Sequence, residues 1–250
     1  MHKFFVSNEN IIDGLVTIVD EDVKHIYKVL RLNPGDKICI NNCSGQEYLA
    51  EIIEINKKEV KAQILENMDT DNESPINVTI YQGLPKAAKM DLIVQKNTEL
   101  GVKEITPVMT ERVVVKGELK EYKKVDRWNR IALEACKQSK RSYIPKINNP
   151  LGFNNMLEEL CKFQLVVVPY ENKEGYGIKK LVEDIKNLPV KDVAIIIGPE
   201  GGFEEREISK LEEIGAHIVT LGPRILRTET AGFTCLSLIM YELGDLGGNM

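Results

Sequence analysis

The sequence predicts an α/β protein with a mostly parallel sheet, preceded by a smaller β-rich domain. Two observations lead to this class. After Pro75, short apolar segments alternate with amphipathic helical ones, which is typical of a parallel sheet with helices on both faces. The segments "FQLVVVPY" and "VAIIIGPE" are apolar without alternation, as strands buried on both faces are.

The first part of the chain predicts a small domain over residues 1–72 that includes its linker. Segments rich in β-branched residues predict strands at 14–19, 36–42, 47–55 and 58–66. One helix is expected at 20–31, where the residues on one face at helical spacing are Val23, Ile26, Tyr27 and Leu30. The tetrapeptide "NPGD" is a turn signal, and the polar stretch 67–75 is interpreted as the linker.

The alternation of strands and helices then predicts a second domain over residues 73–250. Strands are expected at 76–84, 104–109, 163–170, 193–200 and 217–222. Helices are expected at 88–102, 122–140, 204–215 and 230–243. Gly101 is a favourable C-cap for the first of these helices. The last helix is very apolar, which suits packing on its own sheet and a subunit interface equally well.

Composition excludes several classes of protein. The chain has 250 residues, 43% of them hydrophobic, with no apolar stretch of membrane-spanning length and no secretory signal. The five cysteines are scattered and form no C-x-x-C pair, so neither a disulfide framework nor a metal site is expected. We therefore expect a reduced, cytoplasmic protein that has no membrane partner.

Charge is distributed unevenly along the chain. The net charge is −5, yet residues 112–146 contain eleven Lys and Arg against four Asp and Glu. Such a basic island on an acidic chain is typical of a surface that binds nucleic-acid phosphates. A solvated helix face explains the same pattern as well, and charge alone does not separate the two.

The candidate site lies where strands end. In parallel α/β sheets, ligands bind at the carboxyl ends of strands, and three buried strands lead into loops ending at Glu171, Gly202 and Thr230. The loop "GPEGG" is neither G-x-G-x-x-G nor a Walker A sequence, and its carboxylates would repel a pyrophosphate. S-adenosylmethionine suits this loop better, because it has ribose hydroxyls, a sulfonium cation and no phosphate.

Several segments resemble the RsmE family of 16S ribosomal RNA methyltransferases, which belongs to the SPOUT superfamily. The resemblance is carried by "IIIGPEGGF" followed by "LGPRILRTETA", and by "HIYKVLRLNPGD", "DLIVQKNTELGV" and "EACKQSKRSYIP". Asn97 departs from the pattern, where a small residue is expected. The resemblance implies a PUA-like β-barrel at residues 1–72 and a SPOUT-type domain with a C-terminal trefoil knot at 73–250.

The resemblance also implies an activity and partners. It implies a homodimer that uses S-adenosylmethionine to methylate N3 of one uridine near the 3′ end of 16S rRNA, in the small ribosomal subunit. Because uracil N3 carries a proton at neutral pH, a base or a cation that stabilises the uracil anion is needed. Arg227 is the candidate cation, and Glu229 is the candidate that accepts the proton or holds Arg227. The alternative for both residues is an ion pair that fixes the loop.

Two further groups of residues complete the expected site. The candidates for binding the cofactor are Ile197, Gly198, Glu200, Gly201, Leu221, Gly222, Ile225, Leu226 and Thr230, with Glu171 a weaker one. Thr230 is equally compatible with an N-cap of the last helix. The candidates for binding RNA are Arg31, Arg112, Arg130, Lys137, Lys140 and Arg141. Such contacts to phosphate position RNA without specifying its sequence.

Three other functions remain open from the sequence. The same fold serves a non-catalytic RNA-binding or ribosome-assembly factor, although such a factor does not need the "GPEGGF" and "ILRTETA" loops. A methyltransferase acting on another RNA position or on a ribose 2′-oxygen fits the same loops. An oxidoreductase that uses a dinucleotide is disfavoured by the missing phosphate-binding fingerprint.

Overall fold

The computed structural model describes residues 1–69, 72–86, 89–113 and 124–248. These residues form two units. The first unit contains Met1–Glu73 together with Cys136–Ile144, and the second contains Ser74–Ala135 together with Pro145–Met250. Within the described ranges, no helix combines the length and the apolar character that crossing a membrane requires.

The first unit is built on a six-stranded sheet. Its strands are β1 (Lys3–Phe5), β2 (Ile11–Ile12), β3 (Leu15–Ile18), β4 (Lys37–Asn41), β5 (Glu47–Ile55) and β6 (Val60–Met68). They lie in the order β1-β4-β5-β6-β3-β2, with β1 parallel to β4 and the other pairs antiparallel. Alternating residues of these strands, among them Val16, Ile38, Ile52 and Ala62, are fully buried in one core.

The helical segment of the first unit differs from its expected regularity. Helix α1 spans Asp20–Lys24 and continues as a π-helical segment, His25–Leu30, which ends at Arg31 in the left-handed conformation with φ of 54°. Ile26 is buried as predicted, but Tyr27 is 61% exposed. The expectation that Tyr27 lies on the buried face is wrong, because the wider π-helical turn shifts the face that a 3.6-residue repeat predicts.

The segment Cys136–Ile144 belongs to the first unit through a set of polar contacts. The Glu73 carboxylate accepts hydrogen bonds from the backbone N–H groups of Ser142 and Tyr143 at 2.8 and 2.9 Å. The same carboxylate pairs with the Arg141 guanidinium at 2.6 Å. The Asn41 side chain donates to the Ser142 carbonyl at 2.8 Å. Chain order therefore does not delimit this unit.

The second unit is built on a parallel sheet. Its strands are β7 (Asn77–Gly83), β8 (Glu104–Met109), β9 (Lys146–Ile147), β10 (Leu151–Gly152), β11 (Leu165–Pro169), β12 (Asp192–Ile197) and β13 (His217–Val219). They lie in the order β10-β8-β7-β12-β11-β13, and β9 also pairs with β8. Every pair among the described strands is parallel. All carboxyl ends therefore meet at one edge.

Helices cover both faces of this sheet. The helices of this part of the chain are α2 (Lys89–Glu99), α3 (Val125–Ser139), α4 (Phe153–Leu160), α5 (Ile178–Ile185), α6 (Glu205–Glu213) and α7 (Thr228–Leu243), and the residues of α3 from Cys136 onward belong to the first unit. Residues of α4 and α6 share a core with Ala194 and Ile196 of β12. Gly232 of α7 faces Ile197, which points to the opposite side of the strand. The expected helices on two faces are present, and α4 and α5 are additions that the sequence pattern missed.

Candidate functional site

A cavity of about 850 Å³ opens at the carboxyl ends of β11, β12 and β13 in the second unit. The loops that follow these three neighbouring strands line it, together with Lys89 and the beginning of α7. This is the position at which parallel α/β sheets bind ligands. Its size suits a ligand of nucleoside dimensions.

Most of the residues expected to bind the cofactor line this cavity. They are Ile197, Gly198, Glu200, Leu221, Gly222, Ile225 and Leu226. Glu171, the weaker candidate, lines it as well, as do its neighbours Lys173 and Glu174. Gly201 and Thr230 do not belong to the lining. The structure therefore brings together residues from three loops that are separated in the sequence.

The loop after β12 lies directly against the end of β7. A Cβ atom on Gly83 would approach the Pro199 backbone nitrogen and Cδ to 2.6 Å, a distance that only a glycine at position 83 avoids. A Cβ atom on Gly198 would meet the Phe203 ring at 3.1 Å. Two glycines thus allow close packing of the loop, which fixes the cavity floor.

Thr228 ties the same loop to the last helix. Its Oγ1 donates a hydrogen bond to the Gly198 carbonyl at 2.6 Å and accepts one from Gln82 Nε2 at 2.9 Å. Gln82 is fully buried and Thr228 is 6% exposed. One hydroxyl therefore joins β7, the loop after β12 and the first turn of α7, and neither residue was singled out from the sequence.

Gly201 lies under Arg112, a residue that the sequence suggested for RNA. The Arg112 Nη1 donates to the Gly201 carbonyl at 2.9 Å, and a Cβ on Gly201 would approach Arg112 Cβ to 3.1 Å. Arg112 also pairs with Glu204 at 2.7 Å, which raises the pKa of the guanidinium and lowers the pKa of the carboxyl. Arg112 therefore contacts the loop after β12 from outside the cavity lining.

The beginning of α6 explains the acidic residues after "GPEGGF". Glu204 and Glu207 form a reciprocal capping box, in which the Glu207 carboxylate accepts from the Glu204 backbone N–H at 2.9 Å. Glu207 is 1% exposed and accepts a second hydrogen bond, from the Glu111 N–H, at 3.1 Å. These carboxylates therefore serve the helix terminus and not the cavity.

Arg227 and Glu229 do not pair with each other. Arg227 is exposed and lines the cavity, and in the described part of the chain its guanidinium engages no hydrogen bond or ion pair. The Glu229 side chain is only 12% exposed, lies outside the cavity lining, and pairs with Lys89 at 3.3 Å. The expectation that Glu229 holds Arg227 is therefore wrong, as is an ion pair between these two residues. Glu229 forms its ion pair with Lys89 instead.

Lys89 is a charged residue of the cavity lining that no sequence motif indicated. Its Nζ lies 3.1 Å from Glu200 Oε1 and 3.3 Å from Glu229 Oε2. Hydrogen bonding to Glu200 raises the pKa of Lys89. Partial burial would raise the pKa of Glu200, but backbone N–H groups and Lys89 together lower it. No sequence signal separates this lysine from an ordinary exposed one at a helix start.

Thr230 lies inside a helix. Helix α7 begins at Thr228, with Arg227 in the N-cap position, so Thr230 falls in the first turn and is exposed. The alternative of Thr230 as an N-cap is wrong by this placement. The helix begins two residues earlier than the apolar pattern suggests, because "TET" carries no apolar periodicity.

The residues suggested for RNA lie in both units. Arg31 and Lys140 of the first unit are exposed, and both have positive φ angles, 54° and 60°. Lys137 pairs with Asp22 at 3.6 Å, and Arg141 is 5% exposed beside Glu73. In the second unit, Arg130 is exposed on α3. Residues 114–123 of the basic island lie outside the described residues.

Comparisons with known proteins match the chain almost end to end. A family described as the RNA methyltransferase domain matches residues 72–240, and one described as the RNA methyltransferase PUA domain matches residues 18–65. The Ribosomal RNA small subunit methyltransferase E of Bacillus subtilis is 38% identical over 236 residues, covering 93% of this chain and 92% of that protein.

Solved structures agree over a similar extent. A Ribosomal RNA small subunit methyltransferase E from Neisseria gonorrhoeae bound to S-adenosylmethionine has a TM-score of 0.84 and 32% identity, covering 98% of this chain and 99% of that one. The Legionella pneumophila protein Lpg2936, solved with the same cofactor bound, has a TM-score of 0.81 and 33% identity and covers 98% of both chains.

Proposed function

The chain belongs to the family of the ribosomal RNA small subunit methyltransferase E, and on that premise we propose that it methylates N3 of a uridine in 16S rRNA. It is an S-adenosylmethionine-dependent rRNA methyltransferase. The observation that carries the proposal is the cavity at the carboxyl ends of β11, β12 and β13, lined by "GPEGG" and "LGPRILRT".

The lining fits S-adenosylmethionine. Apolar side chains of Ile197, Leu221 and Leu226 and the backbone of Gly198 and Gly222 supply surfaces for an adenine ring and a methionine chain. The Glu200 carboxylate lines the same cavity and suits a ligand that carries a positive charge. Gly201 and Thr230 lie outside the lining, and we propose that they act through the loop and the helix that carry Glu200 and Arg227.

Methyl transfer needs alignment and the loss of one proton. When bound, the cofactor supplies a methyl group already activated by its sulfonium. Arg227 lines the cavity with a guanidinium that no described carboxylate neutralises, and we propose that it stabilises the negative charge that develops on uracil as the N3 proton leaves. Glu229 is proposed to accept that proton or to hold the neighbouring cation, Lys89.

Replacing Glu229 by Gln separates its two roles. Slow turnover with normal affinity for the cofactor would support a proton acceptor, because the amide keeps the shape and loses the basicity. Full activity would exclude that role. Weak cofactor binding would instead support a role in holding Lys89.

RNA binding is proposed for the exposed cations of both units. Arg31, Lys140 and Arg130 are exposed and suited to phosphate contacts. The other three candidates form ion pairs: Arg112 with Glu204, Lys137 with Asp22, and Arg141 with Glu73. We propose that these pairs also fix the backbone that carries the neighbouring exposed cations.

Three proposals concern the whole chain. We propose a PUA-like barrel domain at 1–72 and a SPOUT domain at 73–250. We propose a trefoil knot in which the segment after β13 passes through a neighbouring loop. In support of the knot, that segment leaves an edge strand and returns to the central strands, where Thr228 contacts Gln82 and Gly198. A chain trace in an experimental density map that finds no threading would refute the knot.

We also propose a homodimer in the cytoplasm, where the ribosomal substrate is assembled. The exposed Leu238 and Tyr241 side chains of α7 are compatible with a subunit interface. Light scattering at micromolar concentration tests the dimer, and a mass of one chain would refute it. Fractionation of cells with an antibody to the protein tests the location.

The central experiment measures methyl transfer directly. Purified protein and S-adenosylmethionine are incubated with small ribosomal subunits from a strain lacking its own relative of this enzyme, and the digested rRNA is analysed by mass spectrometry. We expect N3-methyluridine with the wild type and none with Arg227→Ala. Arg206→Ala, which changes an exposed arginine that pairs with Glu111 outside the cavity lining, is the matched control and retains activity.

The other outcomes identify the alternative functions. A different methylated nucleoside would keep the cofactor but reject the uridine N3 assignment. Methylation of free rRNA but not of subunits would change the stage of assembly at which the enzyme acts. Neither cofactor binding nor methylation would favour a non-catalytic RNA-binding factor.

A further inference from the structure

Lys89 is the charged group that connects two walls of the cavity. It is the first residue of α2, and its side chain reaches the cavity lining. Glu200 belongs to the loop after β12, and Glu229 belongs to the first turn of α7. The ammonium lies between these carboxylates, at 3.1 and 3.3 Å. Three separate segments of the chain therefore meet at one amine.

The carboxylates depend on Lys89 to different degrees. Glu200 also accepts from the Lys86 backbone N–H, at 3.1 and 3.2 Å to its two oxygens. Glu229 has a different environment, because its Oε2 is buried and makes no hydrogen bond of good geometry to any residue that the structure describes. Removing Lys89 would leave the Glu229 carboxylate without its compensating charge in a side chain that is 12% exposed.

We propose that Lys89 is a positioning residue, which holds the loop of Glu200 and the first turn of α7 at the spacing that the cofactor needs. This inference rests on the proposed function. Without the ammonium, Glu200 and Glu229 repel each other, and Glu229 gains by moving toward water. Glu200 lies in the lining segment Gly198–Glu200, and Glu229 directly follows the lining residues Leu226–Thr228, so both movements would displace backbone that lines the cavity. The effect therefore applies to a ligand of this cavity whatever its charge.

A second role for Lys89 would give a different signature. If Lys89 acted only through its charge on the bound ligand, removing it would favour a cation. S-adenosylmethionine carries a positive sulfonium, whereas the product S-adenosylhomocysteine is a neutral thioether of nearly the same shape. A change in the ratio of the two affinities would indicate that Lys89 acts through its charge on the ligand. A similar loss of affinity for both ligands would indicate that Lys89 positions the cavity walls.

The test uses isothermal titration of the full-length protein with each of the two ligands. We expect Lys89→Met to weaken both by a similar factor of about ten, since a displacement of an ångström in a site is costly. Lys89→Arg, which keeps the charge, restores both affinities. Lys96→Met is the matched control, because Lys96 lies on the same helix and pairs with Glu99 outside the cavity lining.

Each other outcome has one meaning. Wild-type affinities in Lys89→Met for both ligands would refute the positioning role, and so would a change in the ratio without a common loss. Failure of the wild type to bind either ligand would refute the proposed function and is visible before any variant is compared. Circular dichroism checks that Lys89→Met is folded, and Lys89→Gln replaces it in the same comparison if it is not.

Discussion

At the scale of single residues, small groups help to determine the shape of the cavity. Thr228, Gly83 and Gly198 fix the loop after β12, and none of them performs chemistry. The sequence indicated Gly198 because glycines in a loop after a buried strand are a recognisable pattern. It gave no signal for Thr228, Gln82 or Lys89, because their roles depend on which segments meet in space.

Thr228→Val tests the hydroxyl that joins three segments. The isosteric change removes the donor to Gly198 and the acceptor for Gln82, so we expect a loss of about 1–3 kcal/mol in the free energy of unfolding. Urea unfolding measures it. Thr228→Ser keeps the hydroxyl and is expected to remain near the wild type. Equal stability of the Val and Ser variants would contradict the role assigned to the hydroxyl.

Gly83→Ala tests the close packing against Pro199. The added Cβ would lie 2.6 Å from backbone and ring atoms of Pro199, so we expect a loss of about 1–3 kcal/mol from overpacking. Gly152→Ala is the control, because a Cβ there has no neighbour within 4 Å and its φ of −71° suits any residue. Thermal unfolding that shifts equally in both variants would refute the packing argument.

At the scale of elements, the strongly patterned segments were predictable and the short ones were not. The strands predicted at 163–170 and 193–200 are recognisable because they are continuously apolar. The long helices are recognisable because apolar residues recur at helical spacing through several turns. β9 and β10 have two residues each, too few to show a period. Helices α4 and α5 have eight residues each, follow a glycine and lack a side-chain cap, so no start signal marks them.

The capping of α6 gives a prediction for that helix. Glu207→Ala removes the side-chain acceptor of two backbone N–H groups, those of Glu204 and Glu111, and we expect a loss of about 1–3 kcal/mol in the free energy of unfolding. Glu213→Ala, an exposed glutamate of the same helix, is expected to change stability by less than about 0.5 kcal/mol. Urea unfolding measures both variants, and equal free energies of unfolding would contradict the prediction.

The β4–β5 pair of the first unit carries a pH dependence. Burial would raise the pKa of Glu47, but hydrogen bonds from Lys3, Ser142, Asn41 and Cys39 together lower it from its ordinary value of 4.5. A lowered pKa in the folded state means that the carboxylate stabilises the unit above about pH 4.5. This contribution to stability is lost as the pH falls through the lowered pKa that Glu47 has in the folded state.

Hydrogen exchange of β5 amides across pH 3–7, about the range in which carboxylates titrate, measures this dependence. We expect protection in the wild type to fall at the acid end. The β5 amides of Glu47→Gln are expected to be less protected than those of the wild type at about pH 7. Their protection is also expected to change less as the pH falls, since the side-chain amide does not titrate. A wild-type acid limb as flat as that of the variant would show that Glu47 does not contribute.

At the scale of the whole molecule, the sequence predicted the α/β class and a cavity at the carboxyl ends of the strands, but not the arrangement of the strands. Periodicity tells which faces of a strand are buried, and says nothing about its neighbours. The pairing of β7 with β12 and the membership of Cys136–Ile144 in the first unit depend on contacts between distant segments. The exposed Arg227 beside the cavity follows from that arrangement.

Binding of rRNA should depend on salt through the exposed cations. Arg130 hydrogen-bonds only its own helix backbone in the contacts that the structure describes, so Arg130→Ala is expected to lower the slope of log K against log salt by about 1. Arg127→Ala is the control, because Arg127 is paired with Asp91. Filter binding over a range of salt concentrations measures both slopes, and equal slopes for Arg130→Ala and the wild type would remove Arg130 from the RNA surface.

The bond between Gln82 and Thr228 has a consequence for the synthesis of this protein. The two residues are 146 positions apart in the chain, and β7 cannot pair with β12 until most of the second unit has left the ribosome. Contacts of such long range make folding slow, because the chain loses the entropy of closing a large loop before the contacts stabilise it. The cavity therefore takes its described shape only after Thr228 and the lining loop before it have been synthesised.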